Sequence, residues 1–411
     1  MRKAWPLTAR GTGALLLAVI CFIAAAQLGL IELVYFGVLL IAVDVAGFAT
    51  LYLVRHSESV TRTLTPDIPS VGGEMRVMVH MDVRSPLPTA AGTWRDALPR
   101  GITGIAHGGL PAIGSGLSGG DRRVEFTYSV TATERGAHPL GPLSLTTSDP
   151  FGLARRATTV GAATKVVVAP AIVELPPLWD PAGEAGGTTL TTTTQLGQGA
   201  DNLVARPYVS GDSMRRIHWR ATAHRDTLMV RQEEQESTPQ ATVLLERAAD
   251  AWGAGAQRRP GADPAFELAV TAVVSVVARL VRDGYHVAIR DADGTELWDP
   301  IAGGDGDEVE SLATHFATLT ARMDDGRRSP LDAATAMVTG SGPTVLVTGP
   351  TSRAMMPAPI GSPALLVGIG LDANGFEDAA AAGWRVVPLP PGDDLVESWV
   401  AAYRRVGRVH A

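Results

Sequence analysis

The chain opens with two long apolar runs. Gly11 to Leu30 carries no charged residue, and Leu33 to Val54 is broken only by Asp44. At about 1.5 Å per residue each run is long enough to cross a hydrocarbon core of about 30 Å. One continuous helix through both would be about twice too long for a single crossing. The pattern predicts a two-helix transmembrane hairpin over 1–60, turned near Gly29–Glu32, with residues 11–54 in the lipid bilayer. A basic start and Ala24-Ala25-Ala26 also fit a cleaved signal sequence, after which the second run would return the chain to the same side. Arg2, Lys3 and Arg10 precede the first run, and Arg55, His56 and Arg62 follow the second. Cations at both outer ends predict a cell-membrane protein with the bulk of its chain in the cytoplasm. Asp44 is costly inside a span unless it snorkels, pairs with a helix or lines a proton or ion path.

From Glu74 the period changes to two. Met75, Val77, Val79, Met81 and Val83 alternate with a set that is polar except for Met78, and Val124, Phe126, Tyr128 and Val130 repeat the pattern. Further strands are expected at Leu143–Thr147 and Lys165–Ala169, with glycine-rich Gly101–Gly120 as a mobile loop. Together these predict an antiparallel β-sandwich over 61–175. Glu134-Arg135-Gly136, Leu140-Gly141-Pro142-Leu143 and Ser148-Asp149-Pro150-Phe151-Gly152-Leu153 read as its hairpin turns.

Residues 176–240 form a linker and a dense polar motif, and 241–411 alternate strand and helix. Strands are predicted at Ala241–Glu246, His286–Arg290, Thr344–Thr348, Ala364–Ile369 and Arg385–Pro388. A helix runs from an Asp263 cap and Pro264 to Gly284, with others near 306–322, 331–338 and 393–405. The alternation predicts an open, largely parallel sheet covered on both faces. The fold class is therefore multidomain, α/β plus all-β.

Composition narrows the function classes. The 411 residues carry a formal charge of −7, which argues against nucleic acid as a partner. A single cysteine, Cys21, excludes an intramolecular disulfide framework and a zinc site built on several thiolates. Threonine-rich 188–194 and Gly197/Gly199 lack the spacing of a phosphate loop and read as linker.

The motif holds the candidate chemistry. Asp212 is placed to cap a short helix starting near Ser213, which sets Arg215, Trp219 and Thr222 on one face. Arg231 sits on a strand beside Glu233, Glu234 and Glu236. Two readings stay open: an anion or partner site formed by Arg215, Arg216, Arg220 and Arg231, or a clamp that stitches the sandwich to the next domain. His218 and His224 are six apart, which is no helical metal pair. A hydrolase using Asp212, His218 and a glutamate is the rival class, but no nucleophile or cofactor loop accompanies them.

Gly211-Asp212, Arg215-Arg216-Ile217-His218-Trp219, Ala221-Thr222-Ala223, Leu228-Met229-Val230-Arg231 and Glu233–Glu236 resemble the bacterial family called domain of unknown function 58. The turns at Arg135-Gly136, Gly141-Pro142 and Asp149-Pro150-Phe151-Gly152 and the apolar hairpin are similar to that family too. The resemblance implies no known catalytic activity, a MoxR-type AAA+ ATPase and a transglutaminase-like membrane protein as partners, and a von Willebrand factor type A-like domain over 241–411. Such domains hold Mg²⁺ in an Asp-x-Ser-x-Ser loop, where this chain has Glu246-Arg247-Ala248-Ala249-Asp250. Only Asp250 and Asp372 remain as carboxylates for residual metal binding. The expectation is a non-enzymatic scaffold without catalytic residue, cofactor or metal, docking partners through Gly211, Asp212, Arg215, Arg216, Trp219, Arg231, Glu234 and Glu236.

Overall fold

The computed structural model describes residues 5–52, 57–84, 90–112, 122–178, 203–209, 213–225, 227–233, 239–322, 342–350, 363–371, 373–390 and 395–406. They divide into two compact units, 1–171 with 314–319, and 172–313 with 320–411.

In the first unit, helices α1 (Ala9–Leu28) and α2 (Ile31–Tyr52) are each long and apolar enough to cross a membrane. Thr8 caps α1 by accepting the Gly11 N–H at 3.2 Å, and Gly29 ends it at φ 70°. That left-handed turn favours glycine, and it falls where the two apolar runs meet.

Ten strands follow: β1 (Ser57–Thr65), β2 (Glu74–Arg84), β3 (Gly92–Asp96), β4 (Ile102–Gly104), β5 (His107–Leu110), β6 (Arg122–Ala132), β7 (Gly136–Leu140), β8 (Leu143–Ser148), β9 (Arg155–Val160) and β10 (Thr164–Val168). They form antiparallel sheets in the orders β1-β2-β6-β4, β5-β3-β8-β9 and β10-β7. Met75, Val77, Val79 and Met81 from the first sheet and Trp94, Leu143 and Leu145 from the second share one buried core. The predicted alternation of β2 thus faces inward as the two-residue period requires.

Two expectations are corrected here. The stretch expected as one long loop contains β4 and β5, short strands that pair with β6 and β3; its residues 113–120 lie outside the described ones. Arg62 does not flank the membrane as a free cation. It lies on β1 with a fully buried side chain, bonded to Asp96 at 2.8 and 2.9 Å and to the Ala162 carbonyl at 2.9 Å. Tyr128 donates its hydroxyl to Asp96 at 2.7 Å. Burial, then the Asp96 carboxylate, pushes the ionisation of that hydroxyl well above its ordinary range. Gly141, at φ 96°, leaves room for the Arg62 guanidinium.

The second unit begins with β11 (Leu203–Pro207) and β12 (Met229–Glu233), an antiparallel pair separated by an excursion that contains helix α3 (Trp219–Arg225). Its sheet has six strands: β13 (Gln240–Leu245), β14 (His286–Asp291), β15 (Glu296–Ile301), β16 (Thr344–Thr348), β17 (Ala364–Ile369) and β18 (Arg385–Leu389). The order is β15-β14-β13-β16-β17-β18, parallel except for β15 at one edge. Helices α4 (Pro264–Arg282), α5 (Gly306–Phe316), α6 (Ala373–Ala381) and α7 (Leu395–Val406) alternate with the strands. The Asp263 carboxylate accepts the Ala265 and Phe266 N–H groups at 3.0 Å, the cap that the sequence predicts for α4. By length and composition α4 is a third candidate span, yet Phe266, Val270, Val273, Val274, Val277 and Val281 are buried.

Here too the pattern needed correction. The helix expected over 306–322 ends at Phe316, while edge strand β15 and helix α6 were not foreseen. The helix expected near 331–338 lies outside the described residues.

Candidate functional site

The polar motif builds the excursion between β11 and β12. Instead of one helix starting near Ser213, a 3₁₀ turn spans Met214–Arg216, the chain extends at Ile217, and α3 starts at Trp219. Arg215 and Trp219 therefore do not share a helix, and their predicted common face does not form.

What breaks the helix is a competing set of bonds. Ile217 bridges to Val230, the His218 N–H donates to the Met229 carbonyl at 2.8 Å, and the Met229 N–H donates to the Thr222 hydroxyl at 3.0 Å. His218 Nδ1 accepts the Ala221 N–H at 3.1 Å. The imidazole thus caps α3 in the role usually filled by Ser, Thr, Asp or Asn. The Tyr208 N–H closes the base by donating to the Leu228 carbonyl at 2.8 Å. Ile217, Met229 and Val230 are buried beneath this fold-back.

Sequence reasoning placed His218 with Asp212 as a rival acid–base pair and missed its structural role. The available signal was its position immediately before a run with helical propensity. Above the fold-back, Trp219 is 68% exposed and Met214 67% exposed, and Arg215 and Arg220 are exposed as well. No residue of α3 is buried. Arg216 lies in the 3₁₀ turn and Arg231 on β12. Gly211, Asp212, Glu234, Glu236 and the 188–199 linker lie outside the described residues.

A second place to look is the carboxyl end of the neighbouring parallel strands β13 and β16, from which the chain continues toward opposite edges of the sheet; ligands of doubly wound sheets gather at such points. Glu246, just after β13, accepts the buried Thr348 hydroxyl, and its carbonyl accepts the Trp252 indole N–H at 2.8 Å. Arg247 donates to the Thr320 carbonyl at 3.0 and 3.1 Å and lies 3.9 Å from Asp291. Arg322 pairs with Asp293 at 2.6 Å and lies 3.8 Å from Asp291.

Burial, and next the charge of Asp293, raises the ionisation of Asp291, and burial lowers that of Arg247. Asp293 differs: burial pushes its carboxyl up, but the Thr295 amide and hydroxyl and the Arg322 guanidinium hold it below the usual range. Guanidinium groups stand among these carboxylates where a hard cation would need a shell of oxygens. These residues do not fit the Mg²⁺ that the resemblance implies for such a loop. Asp250 is exposed on a 3₁₀ turn, and Asp372 lies outside the described residues.

The sandwich turns carry more than hairpin geometry. Arg135 is buried and donates to the carbonyls of Phe316 and, at 2.8 Å, Leu319, residues of the same unit. Asp149 is fully buried, and its carboxylate accepts the Phe151 N–H at 3.0 Å and the Ala154 N–H at 2.6 Å.

Residues 204–340 match the family model described as Protein of unknown function DUF58. This is the family that the motif resembles. The chain is similar to the uncharacterized protein YeaD of Bacillus subtilis (strain 168), 21% identical over 303 residues that cover 74% of this chain and 72% of that protein. Among solved structures, the CARDB domain of a Pyrococcus furiosus protein, crystallised with di-metal ions, is 13% identical. It matches over 28% of this chain and 93% of its own, with a TM-score of 0.19. A β-glucosidase from Listeria innocua is 14% identical over 26% of this chain and 16% of its own, with a TM-score of 0.16. Scores this low carry nothing about fold or activity.

Proposed function

We propose that the protein is a non-enzymatic, membrane-anchored scaffold that docks an acidic surface of a protein partner through the excursion between β11 and β12. One observation carries this reading: Trp219, Met214, Arg215 and Arg220 are exposed together on an element whose main chain is pinned from below. Trp and Arg are the types that dominate binding energy at protein interfaces, and a pinned backbone limits the entropy lost on docking. The partner suggested by the resemblance is a MoxR-type AAA+ ATPase, with a transglutaminase-like membrane protein in the same system.

The two N-terminal apolar helices support the anchor, and Arg2, Lys3, Arg10 and Arg55 favour a cytoplasmic position for the rest. The sheet order, with five parallel strands and an antiparallel edge, is compatible with a von Willebrand factor type A-like reading of 241–411. The bonding of His218 Nδ1 to the Ala221 N–H gives no support to the hydrolase alternative.

The test is co-purification from detergent-solubilised membranes. Trp219→Ala and Arg215→Ala should each lower recovery of the ATPase at least about tenfold, about 1.4 kcal/mol of binding, with the melting curve unchanged. Undiminished recovery from both variants refutes docking through this element. A reporter fused at the carboxyl end, active only outside the cytoplasm, refutes the orientation.

A further inference from the structure

The turn between β8 and β9 is bound to the ends of both apolar helices. The Thr8 N–H donates to the Leu153 carbonyl at 2.8 Å, the Thr8 hydroxyl to the Gly152 carbonyl at 2.6 Å, and the Arg155 N–H to the Pro6 carbonyl at 2.7 Å. On the α2 side, the Tyr52 hydroxyl donates to the Arg155 carbonyl at 3.1 Å, and the Arg156 guanidinium donates to the Leu51 carbonyl at 2.5 Å.

Two glycines admit this approach. A Cβ on Gly11 would lie 2.2 Å from the Leu153 oxygen and 3.3 Å from Asp44 Oδ1, and one on Gly47 would lie 2.8 Å from Asp149 Oδ2. Asp44 and Gly47 are three residues apart on α2 and so share a face, which sets Asp149, packed on Gly47, beside Asp44.

Asp44 is only 5% exposed, and neither of its oxygens has a hydrogen-bond partner among the described residues. The other charged or titratable groups facing the junction are Arg10 from α1, Tyr52 from α2, and Arg155 and Arg156 from β9. Arg10 and Tyr52 are exposed, and Arg156 lies over the Tyr52 ring at 5.3 Å. Among the described residues none of them hydrogen-bonds Asp44.

Two buried carboxylates side by side repel strongly, and sharing one proton removes the repulsion. A metal ion is a poorer occupant, because it needs several oxygens. Both Asp149 oxygens already accept main-chain N–H groups, and the Gly152 and Leu153 carbonyls already accept from Thr8.

We propose that Asp44 and Asp149 form a proton-binding site in which one shared proton latches the 149–154 turn to the apolar helices. Release gives that proton to water and leaves two carboxylates, whose repulsion pushes the turn away from α2. The site thus couples proton concentration at the membrane surface to the attachment of the β-sandwich.

The experiment is amide exchange on the full chain in nanodiscs, read as protection factors at Thr8, Phe151 and Ala154 so that the intrinsic pH dependence of exchange cancels. In the wild type, protection should fall at least about tenfold between pH 6 and pH 9, as local opening becomes easier. Asp44→Asn, which is neutral and still offers Asp149 a donor, should hold its protection across that range. Gly11→Ala, which forces the Leu153 carbonyl away, should lower protection at every pH. A flat wild-type profile overturns the proposal, as does a fall that persists in Asp44→Asn. Protection that follows added divalent cation or chelator instead of pH makes the site a metal site and overturns it as well.

Discussion

The turn at 149–154 and the excursion at 208–228 both read as turn-prone stretches that place Asp and Gly close to a large aromatic residue. They finish on opposite sides of the surface. Asp149 is fully buried and gives both carboxylate oxygens to main-chain donors, while Trp219 stands exposed above a backbone satisfied by other residues. The difference lies in what satisfies the main chain. Asp149, His218 and Thr222 all give their polar atoms to main-chain N–H groups and are architecture. Where the backbone is already bonded, cationic and aromatic side chains are left over for contact.

The largest break in that comparison should come from the buried side. Asp96→Ala strands the Arg62 guanidinium and the Tyr128 hydroxyl inside the sandwich and should cost about 3–5 kcal/mol of stability, the usual penalty for halving a buried ion pair. Denaturant unfolding of the solubilised chain measures it. A loss below about 1 kcal/mol would mean that water reaches the pair.

The fold-back under α3 should respond less. His218→Ala removes a helix cap and Thr222→Ala removes the acceptor of the Met229 N–H, each worth about 1 kcal/mol. Faster exchange at the Ala221 and Met229 amides, with little change in global unfolding, is the expected result. Exchange that matches the wild type would show that the fold-back does not depend on these bonds.

How much of this was legible beforehand follows the same division. Periodicity located the apolar helices, β2, β6 and the parallel strands of the second unit, because burial on one or both faces writes itself into hydrophobic spacing. It missed β1, β3, β4, β5, β7, β9, β11 and β15, most of them short or at a sheet edge, as in β15 with its exposed Glu296, Asp299 and Pro300. Of the motif, residue types pointed to a dense polar run of sequence. They did not separate Arg62, which is fully buried, from Arg215, which is exposed. Two arginines are chemically identical in sequence, and only long-range pairing with Asp96 or its absence distinguishes them. The attachment of Thr8 to Gly152 spans 144 residues and leaves no local signal.

On the exposed side, Trp219→Ala and Arg215→Ala should each change stability by no more than about 0.5 kcal/mol, as substitutions away from packed features do. A loss above about 2 kcal/mol would show that the side chain is packed, and would move the motif from contact surface to architecture.

The smallest effect tests the division within one carboxylate pair. Asp291 is buried and its ionisation is raised by that burial, while Asp293, nearer solvent, is held below its ordinary range chiefly by the Thr295 bonds and Arg322. Linkage gives them opposite signs. Asp291 contributes stability that is complete below the unfolded carboxyl value of about 3.9 and is lost as pH rises through its higher folded value. Asp293 contributes stability present above about 3.9 and lost as pH falls through its lower folded value. Between pH 4 and pH 7, Asp291→Asn should therefore gain stability relative to the wild type, and over pH 2 to 5 Asp293→Asn should lose it as pH rises. Denaturant midpoints across those ranges read both slopes. Slopes of the same sign would mean that Arg247 and Arg322 neutralise the two carboxylates equally, and that burial does not separate them.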